Sequence, residues 1–330
     1  MTRIPLRDIR EEFSPLGGHV MLAPEVAAAL AAAQPVVALE TSLVTHGLPL
    51  PHCVDVTLDA AGRIRAGGAV PAVVAISEGH MVVGLTDAEV DRLARAQGTV
   101  KATRANLSTV VARRQTGGTT VSATMLIAEA CGIEVFATGG LGGVHRGAVG
   151  DERRSLSGTL DISADLEELS RTPVHVVCAG PKIILDVQLT LEYLETNGVP
   201  LMTLGADHVP GFYCRSSGAR TPLRVEDLAE AAAIISAQRA LGLSAGTVTC
   251  VPLDAADAVP LPVIESAIEQ ALDEAGPEIR GGAVTPYLLE RLHTITGGAT
   301  LWANLKLIGN NADVAAALAA ALAVALGGRA

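Results

Sequence analysis

Lysine survives at only three positions, 101, 182 and 306, in a chain whose lysines and arginines together number 24. A primary amine can act as a nucleophile and form a Schiff base; a guanidinium stays protonated and cannot. Lys182 stands in VVCAGPKIILDV (176–187), directly after Ala-Gly-Pro and behind an apolar run that reads as a buried strand. Such a place strips water from an ammonium and favours the free amine. Lys182 is therefore the first candidate for covalent chemistry. Lys101 is a second candidate for an amine-specific role, whereas Lys306 falls inside a predicted helix.

Glu40 closes the apolar run PVVALE (35–40). A carboxyl at such a strand end is partly desolvated and inclined to keep its proton, as a general acid must; a salt-bridged strand end is the plainer alternative. In LDISADLEEL (160–169), Asp161, Ser163 and Asp165 alternate before a helical run. That pattern suits a hard, mostly hydrated cation such as Mg²⁺ or Mn²⁺. It equally suits Ser163 as a helix N-cap with acids in the first turn. TGGTTVSAT (116–124) puts hydroxyls and glycines ahead of a helix, which is either an anion site shared with Lys101, Thr119 and Thr120 or ordinary capping. ATGGLGGVHRG (137–147) follows a strand, but His145 occupies the third glycine position of a dinucleotide fingerprint, so a substrate loop or a tight turn is the better reading. His46 and His145, each beside glycine, could orient a phosphate or a water, or serve as structural hydrogen-bonders.

The elements that must carry these residues follow from periodicity. PVVALE (35–40), AVVAIS (72–77), EVFATG (134–139), VHVVCAG (174–180), VPLMTLG (199–205) and GTVTCVP (246–252) read as buried strands. Helical patterns lie among them at 122–131, 182–198 and 225–242. Such alternation predicts an α/β/α sandwich around a largely parallel sheet. A hairpin over 73–85, turning at Glu78-Gly79-His80, makes the sheet mixed, and beyond residue 260 the chain reads as helices. No linker or repeat interrupts it, so one domain over 1–330 is expected. In sheets of this class the ligand sits at the carboxyl ends of the strands, which is where the polar candidates fall.

Composition narrows the partners. A net charge of −11 repels nucleic acid and anionic membranes, so any phosphate must be held by local donors. Five scattered cysteines without CxxC spacing suggest reduced thiols and no zinc site. The N-terminus carries acids where a signal peptide needs an apolar run, and the apolar stretch 314–326 is short for a membrane span. A cytoplasmic protein is expected.

Several longer stretches match in order. ALETSLVTHGLPLP, TVKATRANL, GGTTVSATMLIAEACGIEVFATGGLGGVHRGA, LDISADLEEL, VVCAGPKIILDVQLTLEYLETNGVP, VTPYLLERL and LWANLKLIGNNA together resemble the pseudouridine-5′-phosphate glycosidase family, from about residue 15 to 320. The resemblance implies a homotrimeric α/β/α enzyme that cleaves the C–C glycosidic bond of pseudouridine 5′-phosphate, a phosphorylated nucleoside, to uracil and ribose 5-phosphate with a divalent metal such as Mn²⁺. By the same resemblance Glu40 is the proton donor and Lys182 the nucleophile. Lys101, Val121, Ser163, Ala164 and Asp165 contact substrate, Asp161 faces the metal, and His145 and Asn304 line the site. The paired-carboxylate scheme of ordinary glycosidases is then not needed. Related chains run the chemistry in reverse as C-glycosynthases, which join ribose 5-phosphate to an aromatic partner. A phosphate- or nucleotide-binding regulator without turnover is the reading from another class, and it leaves Lys182 without a task.

Three departures from the family pattern stand out. The first motif reads Glu40-Thr41-Ser42 where Glu-Ser-Thr is usual. Extra residues, VGDERRSLSGTL (149–160), suggest a surface loop beside the metal. Arg280-Gly281-Gly282 replaces an Arg-Gly-Lys.

Overall fold

The computed structural model of the chain describes residues 3–5, 18–150, 158–275, 279 and 284–327. Its strands are β1 (Ile4–Pro5), β2 (Val20–Leu22), β3 (Val36–Leu39), β4 (Val70–Ser77), β5 (His80–Val83), β6 (Val100–Ala102), β7 (Gly117–Thr119), β8 (Val135–Ala137), β9 (Val144–His145), β10 (His175–Cys178), β11 (Leu185–Asp186), β12 (Leu201–Leu204), β13 (Leu223–Val225) and β14 (Thr247–Cys250). The helices are α1 (Pro24–Ala31), α2 (His52–Ala66), α3 (Asp87–Arg95), α4 (Leu107–Ala112), α5 (Val121–Cys131), α6 (Ala164–Leu169), α7 (Val187–Thr196), α8 (Leu228–Ala240), α9 (Leu261–Glu274), α10 (Val284–Ile295) and α11 (Ala299–Gly327).

All the strands except the small β9–β11 pair join one sheet, ordered β1-β2-β5-β4-β3-β8-β10-β14-β12-β13, with β7 added to β4 and β6 to β7. From β4 through β3, β8, β10, β14 and β12 to β13 every pairing is parallel, and the β4–β5 hairpin is antiparallel, as expected of a mixed sheet. The hairpin turns on Glu78 and Gly79 alone, both at positive φ, and His80 already begins the return strand.

The order of strands reverses at one place. The chain leaves β3 toward β4 on one side and leaves β8 toward β10 on the other. Right-handed crossovers then put α2, which connects β3 to β4, and α6, which lies between β8 and β10, on opposite faces. On one face α11 lies against β3, β8 and β10 and packs on α2 and α8; α5 packs against α6 and against β3, β4 and β7. β3 and β8 are adjacent and parallel, with Leu39 paired to Ala137, so the next residues, Glu40 and Thr138, emerge side by side at the carboxyl end of the sheet. A crevice at a point of strand reversal is where ligands bind in this class of sheet.

The core is aliphatic, as the scarcity of aromatics requires; Phe136 on β8 is the largest wholly buried side chain. Two predicted helices begin elsewhere than expected. The pattern at 182–198 becomes helical only from Val187, where the Asp186 carboxylate caps the Leu189 amide at 3.0 Å. Ahead of it Ile183 and Ile184 form a buried turn that runs into β11. The terminal helix starts at Ala299 and is 29 residues long. By length and composition it could cross a membrane, yet 56% of its most apolar window is buried inside the protein. Most of the extra segment 149–160, and Arg280-Gly281-Gly282 with it, lie outside the described residues.

Candidate active site

Two lobes of one cleft meet over the strand reversal, and both are lined by Glu40, Ser42, Lys101, Lys182 and Thr285. The first lobe, a cavity of about 160 Å³, is polar and adds Thr103, Thr120, His145, Asp161, Ser163 and Asp165. The second, of about 80 Å³, is more apolar and adds His46, Phe212, Asn304 and Ile308. Lys182 thus stands between a polar and an apolar compartment, with the carboxyl of Glu40 beside it.

Glu40 is buried, and its two carboxylate oxygens accept hydrogen bonds from the hydroxyls of Ser42 and Thr138. Burial pushes its pKa up from the ordinary carboxyl value; the positive charge of Lys182 and the two hydroxyls oppose the shift without cancelling it. Among the described residues its close partners are these hydroxyls and not a salt bridge. Glu40 is a desolvated carboxyl inclined to hold its proton, as a general acid needs.

Lys182 follows Gly180 and Pro181 in the loop that leaves β10. The amide of Lys182 donates to the Leu141 carbonyl at 3.1 Å, and the Leu141 amide donates to the Gly180 carbonyl at 3.1 Å, so the loops after β8 and β10 are stitched together. Gly180 has φ +83°, and a Cβ there would lie 2.2 Å from the Pro210 carbonyl oxygen, so no other residue fits. Lys101 belongs to the short strand β6 rather than to a strand end. Burial depresses its pKa, with the nearby charge of Lys182 as the second cause.

The stretch 160–169 divides its tasks. The Ser163 hydroxyl accepts from the Asp165 amide at 3.3 Å and caps α6, so the capping reading is realised. The Asp165 carboxylate accepts from the Ser122 amide at 3.1 Å and from the Gly142 amide at 3.0 Å. It ties α5, α6 and the loop after β8 into one wall, and its oxygens reach the cavity already occupied. Asp161 is the freer carboxylate, with its side chain a third exposed and 3.7 Å from Nδ1 of His145. Burial lowers the pKa of His145, and the Asp161 charge pulls it back up. Ala164 leaves room beside the N-terminus of α6. Val121 opens α5 with its side chain buried, so its backbone at the helix N-terminus is what it offers a ligand.

Among the described residues no group of three or more histidines, cysteines or acids could hold a metal ion. Mg²⁺ and Mn²⁺ sites often need only one or two carboxylates, the rest of the shell being water and substrate oxygen. Asp161 fits that kind of site.

Thr119 does not serve as a phosphate donor. It is fully buried, and its hydroxyl donates to the Val74 carbonyl at 2.8 Å. Thr120 remains at the cavity wall but spends its hydroxyl on the Ala102 carbonyl at 2.9 Å. Asn304 is half-buried in the second lobe. Sequence reasoning missed Asn311, which is fully buried and donates to the Thr138 and Gly139 carbonyls at 2.8 and 3.2 Å. The Asn310-Asn311 pair in an Ala- and Leu-rich helical run was the available signal.

Comparison with known proteins agrees with this geometry. Residues 25–321 match the family described as indigoidine synthase A like protein. A pseudouridine-5′-phosphate glycosidase of Solibacter usitatus is 47% identical over 91% of this chain and 98% of its own length. That of Methylobacterium nodulans is 48% identical over 91% and 87%. Among solved structures, the prealnumycin C-glycosynthase AlnA in complex with ribulose 5-phosphate superposes with a TM-score of 0.85 at 38% identity, covering 94% of this chain and 99% of that one. An indigoidine synthase A-like protein of Thermotoga maritima gives 0.82 at 33% identity over 92% and 96%. With its motifs carried onto one cleft and near-complete coverage in both directions, the chain belongs to the indigoidine synthase A like family and, within it, to the pseudouridine-5′-phosphate glycosidases.

Proposed function

We propose that the chain cleaves pseudouridine 5′-phosphate to uracil and ribose 5-phosphate through a Schiff base on Lys182. The observation that carries this reading is the pairing of one amine, Lys182, with one desolvated carboxyl, Glu40, in a single cleft. The bond to be broken joins C1′ to carbon 5 of uracil, so there is no heteroatom leaving group to protonate. Glu40 gives its proton to the ribose ring oxygen, and the C1′–O bond opens. The amine of Lys182 adds to the electrophilic C1′. A proton passes to carbon 5 of uracil, the C–C bond breaks, and uracil leaves. The remaining iminium joins Lys182 to the open-chain sugar, and water hydrolyses it to ribose 5-phosphate and the regenerated amine. Covalent catalysis of this type divides one hard step into easier ones.

The polar lobe takes the phosphorylated sugar, with Lys101 and the N-terminus of α5 as the local positive field. Val121, Ser163, Ala164, Asp165 and His145 form its wall. The apolar lobe takes the uracil ring, with Asn304 as its polar partner. Asp161 would hold Mn²⁺, which supplies charge neutralisation and oriented water when bound. The working form is a cytoplasmic homotrimer, to be checked by sedimentation and by imaging a tagged chain.

The test is reductive trapping. Incubation with ribose 5-phosphate and borohydride should leave Lys182 one reduced pentose phosphate heavier, mapped by peptide mass. Lys182→Arg should fold and bind phosphate ligand yet lose turnover and trapping together. An adduct on Lys101 would exchange the two assignments. Turnover with neither lysine modified defeats the covalent mechanism.

The likeness to AlnA supports a second reading, the same site run toward C–C bond formation with an aromatic acceptor. Release of uracil from pseudouridine 5′-phosphate favours cleavage; product only from ribose 5-phosphate plus an aromatic acceptor favours synthesis. Binding without either product would indicate a regulator.

A further inference from the structure

We infer that Asn311 is a positioning residue for Glu40, acting through the backbone that carries Thr138. The inference rests on the reading of Glu40 as the proton donor.

Asn311 is wholly buried on α11, on a face otherwise made of Leu307, Ala312, Ala315, Ala316 and Leu318. A buried amide is costly unless bonded. Its Nδ2 donates to two successive carbonyls, Thr138 at 2.8 Å and Gly139 at 3.2 Å, while Oδ1 has no partner among the described residues. A flipped amide would set oxygen against those two carbonyl oxygens, so the orientation is fixed by its donors. The side chain is therefore retained for what its NH₂ does, at the expense of its oxygen.

The two carbonyls lie where β8 leaves the sheet. The Thr138 amide still bonds the Val177 carbonyl at 3.0 Å, and the Gly139 carbonyl also accepts from the Ala179 amide at 2.9 Å. Asn311 holds the peptide between these anchors from the opposite face. That peptide sets the direction of the Thr138 side chain, whose hydroxyl donates to one oxygen of Glu40. A helix on one face of the sheet thus aims a hydroxyl at the acid across the strand reversal. Replacing the amide by an apolar group frees the Thr138 carbonyl to turn, and the hydroxyl turns with it.

The consequence is readable in a pH profile. The charged groups that bear on Glu40 are Lys182 from the loop after β10, Asp165 from α6, and Lys101 from β6, and the Ser42 hydroxyl holds the other carboxylate oxygen. None of these touches Asn311 in the hydrogen bonds and ion pairs described here, so they stay in place when it is changed. A hydroxyl donated to a carboxylate favours the charged form. Losing the Thr138 bond therefore shifts Glu40 further up, and the alkaline limb of kcat moves to higher pH while kcat itself falls.

The experiment measures kcat and KM across pH with pseudouridine 5′-phosphate and Mn²⁺ on the full chain and its Asn311→Leu, Asn311→Ala, Thr138→Val, Thr138→Ser, Asn311→Leu/Thr138→Val and Glu40→Gln variants. Asn311→Leu is expected to lower kcat about tenfold or more with KM little changed. Its alkaline limb should move up by about half a pH unit. Thr138→Val should do the same, and the double variant should add nothing further. Thr138→Ser, which keeps the hydroxyl, should restore the limb. If Asn311→Leu does not fold, the smaller Asn311→Ala carries the same expectation, and failure of both to fold makes Asn311 a folding residue and overturns the inference. A lowered Tm with kcat and limb unchanged overturns it as well. An inactive Glu40→Gln beside an unmoved limb in the Asn311 variants defeats the inference alone; an active Glu40→Gln that keeps the limb defeats the reading of Glu40 and the inference with it.

Discussion

Glu40 shows what a proton donor costs a fold. Burial raises its pKa above the ordinary carboxyl value, so the folded state holds a proton that the unfolded chain gives up more readily. The stability tied to Glu40 is complete below the ordinary carboxyl range and is lost as pH rises through the folded value. Glu40→Gln is neutral at every pH and escapes that loss. It should therefore melt above the native protein at pH 8 and level with it near pH 4, while turnover falls by about 10²–10⁴-fold, as for other lost general acids. Equal melting curves at pH 8 would mean that Glu40 carries no burial penalty. Asp161 is judged by a different measurement. Mn²⁺ at about a hundred times its Kd should stabilise the native protein by about 2.7 kcal/mol, and Asp161→Ala should not respond. Chelation should abolish turnover; full activity after exhaustive chelation removes the metal from the mechanism.

At the scale of elements, the cleft depends on how neighbouring loops are tied to one another. Glu168 of α6 is completely buried and pairs with Arg104 at 2.5 Å, two residues past β6, while the Thr172 hydroxyl donates to its other oxygen. This pair fixes the Lys101 strand against the helix that carries Ser163 and Asp165. Arg104→Ala should destabilise by about 1–3 kcal/mol because the buried Glu168 keeps only its Thr172 hydroxyl bond, and Arg104→Leu with Glu168→Gln should recover part of that in chemical denaturation. Little of this was legible beforehand. Strands with continuous apolar runs, such as β3, β4 and β10, declared themselves because both of their faces are covered. Helix starts were less legible, since Asp186 caps α7 only once Pro181 and Lys182 have made their turn. Glu40, Lys182 and Asp161 were found by residue type and motif, and their convergence on one cleft needed the sheet order. Asp165 was placed in the site but not as the bond between its walls, because the amides it accepts from lie 43 and 23 residues away.

For the molecule as a whole, acid sensitivity should have a source far from the cleft. His175 begins β10, is buried, and its Nδ1 lies 2.9 Å from the Thr247 hydroxyl. Burial lowers its pKa from 6.5 to about 3, with Arg239 as a second cause. Between these values the unfolded chain binds a proton that the folded protein refuses, so stability falls as pH drops from 6.5 toward 3. The slope from this group approaches about 1.4 kcal/mol per pH unit. His175→Gln should flatten that part of the stability profile, and an unchanged slope would place the acid sensitivity elsewhere. The terminal helix has a consequence of another kind. α11 contributes Asn304 and Ile308 to the cleft and sets Asn311 behind it, and among the described elements it is the last to leave the ribosome. Synthesis runs at about 5–20 residues per second, so the sheet face that α11 covers is bare for seconds after its strands exist. A nascent chain therefore carries its amine and its acid before the cleft has the wall that α11 provides.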